Sequence, residues 1–157
     1  MRDERVPEPV SVRREDFDIA AETERLTAGR TDIGAVVSFT GLVREMTGAG
    51  AITGMELEHY PGMTERALEQ IVAEAEARWP LQGVRVIHRF GPLAPGERIV
   101  LVLTASRHRH AAFEAAAFLM DWLKTRAPFW KKEEGPEGAA WVDAREQDDA
   151  AARRWGR

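Results

Sequence analysis

Lys124 attracts attention because the residues that precede it at helical spacing are apolar. It lies four residues after Met120, seven after Ala117 and eleven after Phe113, so in a helix it projects from the same side as they do. Apolar surroundings lower the pKa of an ammonium group and favour the neutral amine, which can act as a general acid, a general base or a nucleophile. Equally, a lysine in the last turn of a helix is stabilised by the helix dipole and can pair with Asp121 or extend into water. Spacing alone leaves both interpretations open.

A basic segment, residues 106–110 (Ser-Arg-His-Arg-His), precedes the helix that carries Lys124. Free amides at a helix N-terminus and arginine side chains bind phosphate groups, and Ser106 is a candidate N-cap. The alternative is that these side chains, His108 and Arg109 among them, simply point into solvent. His108 and His110 fall on different sides of a helix and the chain has no cysteine, so no metal site is predicted.

Two further cations are candidates because of their positions in the chain. Lys131 belongs to the charged run 131–134 (Lys-Lys-Glu-Glu), which follows the helix end marked by Pro128, so Lys131 can return to the pocket of Lys124. Arg44 ends the first predicted strand beside a glycine-rich loop, and strand ends often carry binding residues. The simpler interpretations are a solvated charge run for the first and surface exposure for the second.

Composition limits the class of protein. The 157 residues, 44% of them hydrophobic, suit one domain with a single core. The net charge of -4 provides no overall positive field for nucleic acid or an anionic membrane, so any anion site must be local. The absence of cysteine excludes disulfides, thiolate metal sites and a cysteine nucleophile, so any sulfur used in a reaction must come from outside the chain.

The sequence also indicates where the protein works and what it does not bind. The first five residues are charged where a secretory peptide would be apolar, and no apolar run approaches the roughly 20 residues that span a bilayer. We therefore expect a cytoplasmic protein without a membrane partner. No Gly-x-Gly-x-x-Gly or Gly-Lys-Ser/Thr pattern follows a strand, so no cofactor is expected.

The hydrophobic pattern predicts a single α+β domain with mostly antiparallel strands and two main helices. The predicted elements are strands at 33–40, 55–60, 84–90, 98–105 and 141–142, helices at 64–79 and 108–126, and a polar terminal helix at 146–155. Thr64 is the expected cap of the first main helix, and Pro95-Gly96 the turn of a hairpin. Residues 1–32, with a possible strand at 10–12 and a short helix ending near Gly29, form a weakly readable segment before a domain at 33–157.

Four segments resemble the large subunit of molybdopterin synthase. They are residues 34–44 (Gly-Ala-Val-Val-Ser-Phe-Thr-Gly-Leu-Val-Arg), 57–64 (Leu-Glu-His-Tyr-Pro-Gly-Met-Thr), 86–89 (Val-Ile-His-Arg) and 120–131 (Met-Asp-Trp-Leu-Lys-Thr-Arg-Ala-Pro-Phe-Trp-Lys). The similarity runs in order through residues 33–155, and the last segment is the most specific. The loop 45–50 departs from the family because it lacks the polar run that often follows the matching arginine, and Arg107 and His110 add charge where small residues are usual.

The resemblance implies an α/β-hammerhead-like fold and a sulfurtransferase. Each protomer of a homodimer would bind a small ubiquitin-like subunit whose Gly-Gly tail carries a thiocarboxylate, which makes a heterotetramer. Two sulfur transfers would convert cyclic pyranopterin monophosphate into the dithiolene of molybdopterin. Lys124 and Lys131 match the family's essential lysines, and Arg44, His108 and Arg109 match positions that hold the substrate, most simply its phosphate.

Two other classes of protein remain as alternatives. A non-catalytic module could use the same basic cluster to bind a phosphorylated metabolite or the tail of a partner protein. Retention of Lys124 and Lys131 favours the enzyme over this module. A nucleic-acid-binding domain could use the five tryptophans and the arginines, but the acidic balance of the chain disfavours it.

Overall fold

The computed structural model describes residues 8–47, 50–51, 54–135, 138–142, 151 and 153–156 of the chain. Within this part the helices are α1 (Ile19–Thr27), α2 (Met63–Arg78) and α3 (Arg109–Thr125). The strands are β1 (Val10–Arg13), β2 (Ala35–Leu42), β3 (Met46–Thr47), β4 (Gly50–Ala51), β5 (Gly54–His59), β6 (Leu81–Arg89), β7 (Gly91–Leu93), β8 (Arg98–Ser106), β9 (Phe129–Gly135) and β10 (Gly138–Val142).

The first sheet has the strand order β1-β6-β8-β2, with β8 at its centre. Strands β6 and β2 pair antiparallel with β8, and β1 pairs parallel with β6. Every residue of β8 from Val100 onward is buried, as the continuous apolar run of a strand covered on both faces requires. Successive side chains of β8 point to opposite faces of the sheet and belong to two different hydrophobic clusters. Helices α2 and α3 cover one cluster, and α1 covers the other.

The second sheet has the order β10-β9-β5-β7 and is antiparallel throughout. Met55 and Leu57 alternate on β5 and bury against Leu93 of β7 and Val43, which follows β2. Ile99 at the start of β8 touches this cluster and also the cluster beneath α2 and α3, so the two sheets share one continuous core. Strands β3 and β4 form a separate two-stranded ribbon.

The expected α+β architecture with mostly antiparallel strands is confirmed, and the two long helices fall where helical spacing placed them. The β6–β8 pair is also as predicted, although β7 lies between its strands and joins the second sheet. The predicted terminal helix at 146–155 lies mostly outside the described residues. None of the helices in the described part of the chain is long and apolar enough to cross a membrane.

Three local expectations are wrong. Gly62, not Thr64, caps α2: its φ of 82° turns the chain, and its amide donates to the Glu65 carboxylate, while the Thr64 hydroxyl donates to the Tyr60 carbonyl. Ser106 ends β8 and donates to the Pro80 carbonyl instead of capping α3. The charged run 131–134 is not a solvated loop but part of β9, because its backbone pairs with β5 and β10.

Glu22 of α1 is a buried charge that joins α1 to the first sheet. Its side chain is only 2% exposed and accepts a hydrogen bond from Arg85 of β6 at 3.0 Å. Arg25 also donates to it, and Arg13 of β1 lies 3.6 Å away. Burial raises the pKa of a carboxylate, but the hydrogen bonds from Arg25 and Arg85 outweigh burial and hold the pKa of Glu22 below its ordinary 4.5.

We expect Glu22→Gln to lower the free energy of unfolding by roughly 3 kcal/mol, because the variant leaves the half-buried Arg85 guanidinium without its buried counter-charge. The charge of Glu22 stabilises the fold above pH 4.5, and this contribution is lost as the pH falls through the lower folded pKa. Urea unfolding at pH 7 measures the difference. Glu24→Gln, on the exposed side of the same helix, is the control, and equal stability of the two variants would contradict the role of Glu22.

Candidate functional site

Helix α3 folds back over β8 and so places its two ends at opposite ends of the first sheet. Only Arg107 and His108 separate the last residue of β8 from the first of α3. The Thr104 hydroxyl donates to the Ala112 carbonyl at 2.7 Å and fixes the start of the helix on β8. Small residues let the helix approach the sheet closely, and its buried positions are Ala111, Ala112, Ala115, Ala116, Phe118, Leu119, Met120 and Trp122.

Lys124 lies in the last turn of α3, and its side chain is exposed. Within the single chain, Lys124 is therefore not enclosed by the apolar surroundings that one of the two interpretations required. The apolar stripe before it is itself partly open, since Phe113 is 60% exposed, whereas Met120 is 9% exposed. Helical spacing predicts the side of α3 from which Lys124 projects, and its exposure shows that neighbouring elements do not cover it there.

Four rings lie in a row beside this end of α3, and we call them the ring stack: Phe90, His59, Phe129 and His88. The ring centroids of His88 and Phe129 are 3.8 Å apart and nearly parallel, at 19°. His59 lies 6.2 Å from Phe129 and 4.3 Å from Phe90. The stack therefore joins β5, β6, the residue after β6, and the first residue of β9.

His88 is an uncharged imidazole under Lys124. It alternates with Val84 and Val86 on β6, so its ring faces the side of the sheet that α2 and α3 cover. Burial lowers the pKa of His88 from 6.5 to about 4, a hydrogen bond to the Arg89 carbonyl opposes this, and the nearby charges of Lys124 and His59 lower the pKa further. Because a carbonyl only accepts, Nδ1 carries the proton in this 2.8 Å bond.

Lys131 lies on β9 two residues after Phe129, so both side chains project from the same face of the strand. Its register partner on β5 is Leu57, which is 5% exposed, and the register partner of Phe129 is His59. Lys131 is accordingly half-buried beside the core of the second sheet. Phe129, two residues before Lys131, stacks on His88, and the charge of Lys124 acts on the same His88 ring.

Arg44 is at the same end of the molecule as the two lysines. It follows β2, whose Leu42 pairs with Arg98 at the start of β8. The preceding residue, Val43, is held by backbone hydrogen bonds with Glu97 and Gly96. Because α3 runs back along β8, its final turn returns to this end of the sheet, and the exposed Arg44 shares that end with Lys124.

His108 and Arg109 lie at the opposite end. His108 is the N-cap of α3, Arg109 is its first residue, and both are exposed. The first turn of the helix contains no acidic residue, so the positive end of the helix dipole and these side chains favour an anion together. Fifteen residues separate Arg109 from Lys124, which is about 22 Å along a helix. A single chain therefore does not bring the five predicted site residues together.

A groove of about 300 Å³ lies elsewhere, between β5 and β7. It is lined by Met55 and Leu93 and by the carboxylates Glu56 and Glu97, and it contains none of the predicted site residues. Two carboxylates disfavour a phosphorylated ligand there. The cationic groups at the ends of α3 are the better candidate site.

Sequence reasoning gave His59 and His88 no role. His88 is a hydrogen-bonded core histidine. Nδ1 of His59, in contrast, is a buried atom without a hydrogen-bond partner in the described part of the chain. One sequence pattern could have predicted the burial of His88. It alternates with Val84 and Val86, so its ring lies on the face of the sheet that the helices cover.

Fold and geometry define an α+β protein with cationic groups gathered at both ends of one helix. The chain belongs to the MoaE protein family, whose model matches residues 12–126, a range that contains Arg44, His108, Arg109 and Lys124 and ends before Lys131. A relative from Mesorhizobium japonicum, named molybdopterin synthase catalytic subunit, is 60% identical over 93% of this chain and 92% of its own length.

Solved structures show the same fold. A molybdopterin biosynthesis MoaE protein from Burkholderia ambifaria has a TM-score of 0.80 at 51% identity and covers 94% of this chain and 97% of its own. Molybdopterin synthase from Staphylococcus aureus has a TM-score of 0.78 at 33% identity, covering 87% and 98%. A complex of subunits 1 and 2 of the molybdopterin-converting factor from Helicobacter pylori has a TM-score of 0.70 at 20% identity, covering 89% and 92%, and supports the fold alone.

We expect the burial of neutral His88 to make the fold sensitive to mild acid. The unfolded chain takes up a proton below pH 6.5, whereas the folded chain does so only near pH 4. The contribution is therefore complete above pH 6.5 and is lost as the pH falls to about 4, in total about 3 kcal/mol. Urea unfolding between pH 7 and pH 4.5 measures this change in the free energy of unfolding. This pH range lies above the range in which protonation of Glu22 affects stability.

His88→Phe is the matched variant, because a phenyl ring fills the same space and does not ionise. Its free energy of unfolding should vary less with pH in this window than that of the parent chain. The same pH dependence in both proteins would show that His88 is not the group that titrates.

Proposed function

We propose that the chain is the catalytic subunit of a molybdopterin synthase and acts as a sulfurtransferase. It transfers sulfur from the thiocarboxylated C-terminus of a small ubiquitin-like subunit to cyclic pyranopterin monophosphate, forming the dithiolene of molybdopterin. The main support is that Lys131 follows Phe129 by two residues on β9, that Phe129 stacks on His88, and that the charge of Lys124 on α3 acts on His88. The names of relatives that match nearly the whole chain agree with this assignment.

The two lysines have different surroundings and are suited to different roles. Lys124 is exposed at the end of α3, where its amine can reach both the tail of a partner and the pterin side chain, and can transfer protons as carbon–sulfur bonds form. Lys131 is half-buried on a strand and is therefore held more firmly. It is suited to stabilising negative charge that develops on the reacting atoms.

A homodimer would complete the site, since one chain separates its phosphate-binding candidates from its lysines by about 22 Å. In a two-fold symmetric dimer, helices that pack antiparallel bring the N-terminus of one beside the C-terminus of the other. His108 and Arg109 of one copy would then lie near Lys124 and Arg44 of the other. The exposed Phe113 on α3 and Phe39 on the edge strand β2 give such an interface an apolar centre.

The dimer also accounts for the exposure of Lys124. A second copy packed along the open side of α3 would cover the stripe that ends at Lys124 and exclude water there. Exclusion of water strengthens electrostatic interactions and limits hydrolysis of a thiocarboxylate before it reaches the pterin. The small subunit is proposed from the resemblance of residues 34–44, 57–64, 86–89 and 120–131 to the large subunit of molybdopterin synthase.

We expect Lys124→Ala and Lys131→Ala each to reduce dithiolene formation by about 100-fold or more, the usual contribution of a proton-transferring group for Lys124 and of a charge-stabilising group for Lys131. The assay mixes purified chain, thiocarboxylated small subunit and cyclic pyranopterin monophosphate, and measures the product and the affinity for the small subunit. Affinity should persist. Arg30→Ala, which removes an exposed cation paired with Asp32, is the control.

Two outcomes would contradict the proposal. A parent chain that forms a stable complex with the small subunit but makes no product is a binding module, the alternative from another class. Normal turnover by Lys124→Ala would remove that amine from the mechanism.

We expect two inactive variants to restore each other if the site is shared between copies. Lys124→Ala loses the lysine site, and Arg109→Ala loses the phosphate contact. After subunit exchange, a mixed dimer has both substitutions in one of its two sites, and its other site is intact. Random exchange makes about half of the dimers mixed, so roughly a quarter of the parental activity should return. If each chain used only its own residues, the mixture would stay as inactive as its components.

A further inference from the structure

We infer that His88 is a positioning residue for Lys124 and Lys131: its buried ring, stacked on Phe129, fixes the junction between α3 and β9 so that both lysines face one reaction space. The expected effect of His88 on catalysis rests on the proposed function. The positioning itself rests on the geometry of the ring stack, which exists whatever the reaction is.

The His88 ring is a fixed support. It is 7% exposed, and its Nδ1 donates to the Arg89 carbonyl at 2.8 Å, which prevents rotation about the ring bond. Arg89 is fixed as well, because its guanidinium donates to the carbonyls of Arg14 and Arg98 at 2.9 and 2.8 Å. The support therefore belongs to the rigid end of the first sheet.

Phe129 transmits this support to the second sheet. It is the first residue of β9, and its ring lies parallel to that of His88 at van der Waals distance. Lys131 follows on the same face of the strand, about 7 Å further along. A shift or rotation of Phe129 would therefore move Lys131 with it, because the two residues belong to one strand.

The short connection between α3 and β9 links Lys124 to the contact between Phe129 and His88. Only residues 126–128 separate α3 from β9. The Arg126 amide donates to the Trp122 carbonyl and the Phe129 amide donates to the Ala127 carbonyl, so the connection is a tight turn and not a loose loop. Fixing Phe129 thus fixes the final turn of α3, where Lys124 lies close enough to His88 for its charge to act on the ring.

Two substitutions distinguish the effect of the His88 ring from the effect of its hydrogen bond. His88→Asn keeps an N–H group that can donate to the Arg89 carbonyl but removes the ring. His88→Phe keeps the ring and loses the donor. If stacking on Phe129 positions the lysines, kcat should fall in the asparagine variant and stay near the parental value in the phenylalanine variant.

The experiment measures kcat and KM for dithiolene formation and amide hydrogen exchange at Phe129 and Lys131, at a temperature where every variant is folded. A misplacement of about 1 Å costs on the order of 100-fold in rate, so we expect a loss of that size in kcat for His88→Asn with KM nearly unchanged. Exchange at the two amides should accelerate in this variant. In His88→Phe both readouts should remain close to those of the parent chain.

Leu103→Ala is the control for a purely structural loss. Leu103 is completely buried beneath α1, on the opposite face of the first sheet from the ring stack. Its truncation should lower the melting temperature while leaving kcat and exchange at β9 near parental values. Combining His88→Asn with Phe129→Leu should cost less than the sum of the two single losses, because both remove one contact.

The outcomes separate the two proposals. An inactive parent chain defeats the proposed function, and exchange at Phe129 and Lys131 then still decides whether His88 positions β9. An active parent chain with parental kcat in His88→Asn overturns the inference. Equal losses in the asparagine and phenylalanine variants overturn it too, because the ring would then not be the group responsible.

Discussion

The burial of β8 on both faces is the constraint on which the rest of the molecule depends. A strand that is apolar on both sides must have paired strands at its edges and helices above and below it, and β6, β2, α1, α2 and α3 meet these needs. Since only two residues lie between the end of β8 and the start of α3, the helix can cover the strand only by running back along it. The positions of both helix ends follow directly from this reversal.

This reversal separates two kinds of cationic group. The exposed His108 and Arg109 begin the helix, where free amides favour an anion, and Lys124 ends it, beside Arg44 and the strand that carries Lys131. The helix dipole stabilises a cation at the C-terminal end and an anion at the N-terminal end. One helix thus offers a place for a phosphate and a place for a reactive amine, and its length keeps them apart within one chain.

Much of the fold was predictable because its elements have strong apolar periodicity. Strand β8 and helices α2 and α3 have that periodicity, and their positions were found within a few residues. Strand β9 does not, since Lys-Lys-Glu-Glu has no apolar alternation and becomes a strand only through its pairing with β5 and β10. The cap at Gly62 was missed because a positive φ, not a side-chain oxygen, starts α2.

Candidate site residues could be predicted from the sequence, but not their arrangement in space. Spacing gives the side of α3 on which Lys124 projects, but the extent of the neighbours that cover that side decides its exposure. The ring stack depends on the register of β5 with β9, which aligns His59 with Phe129. No pattern within either segment specifies that alignment. The separation of Arg109 from Lys124, in contrast, follows from helix geometry alone.

The three-residue connection after α3 has a consequence for which changes of chain length the protein can accept. Side chains on a strand alternate between faces, so one residue added or removed between Thr125 and Phe129 would exchange the faces of all β9 residues if the turn kept its geometry and the register with β5 shifted by one. Lys131 would then leave the side of Leu57. A change of two residues would restore the alternation but displace the ring of Phe129 from His88. The length of this turn is therefore constrained as strictly as the identity of any residue in it.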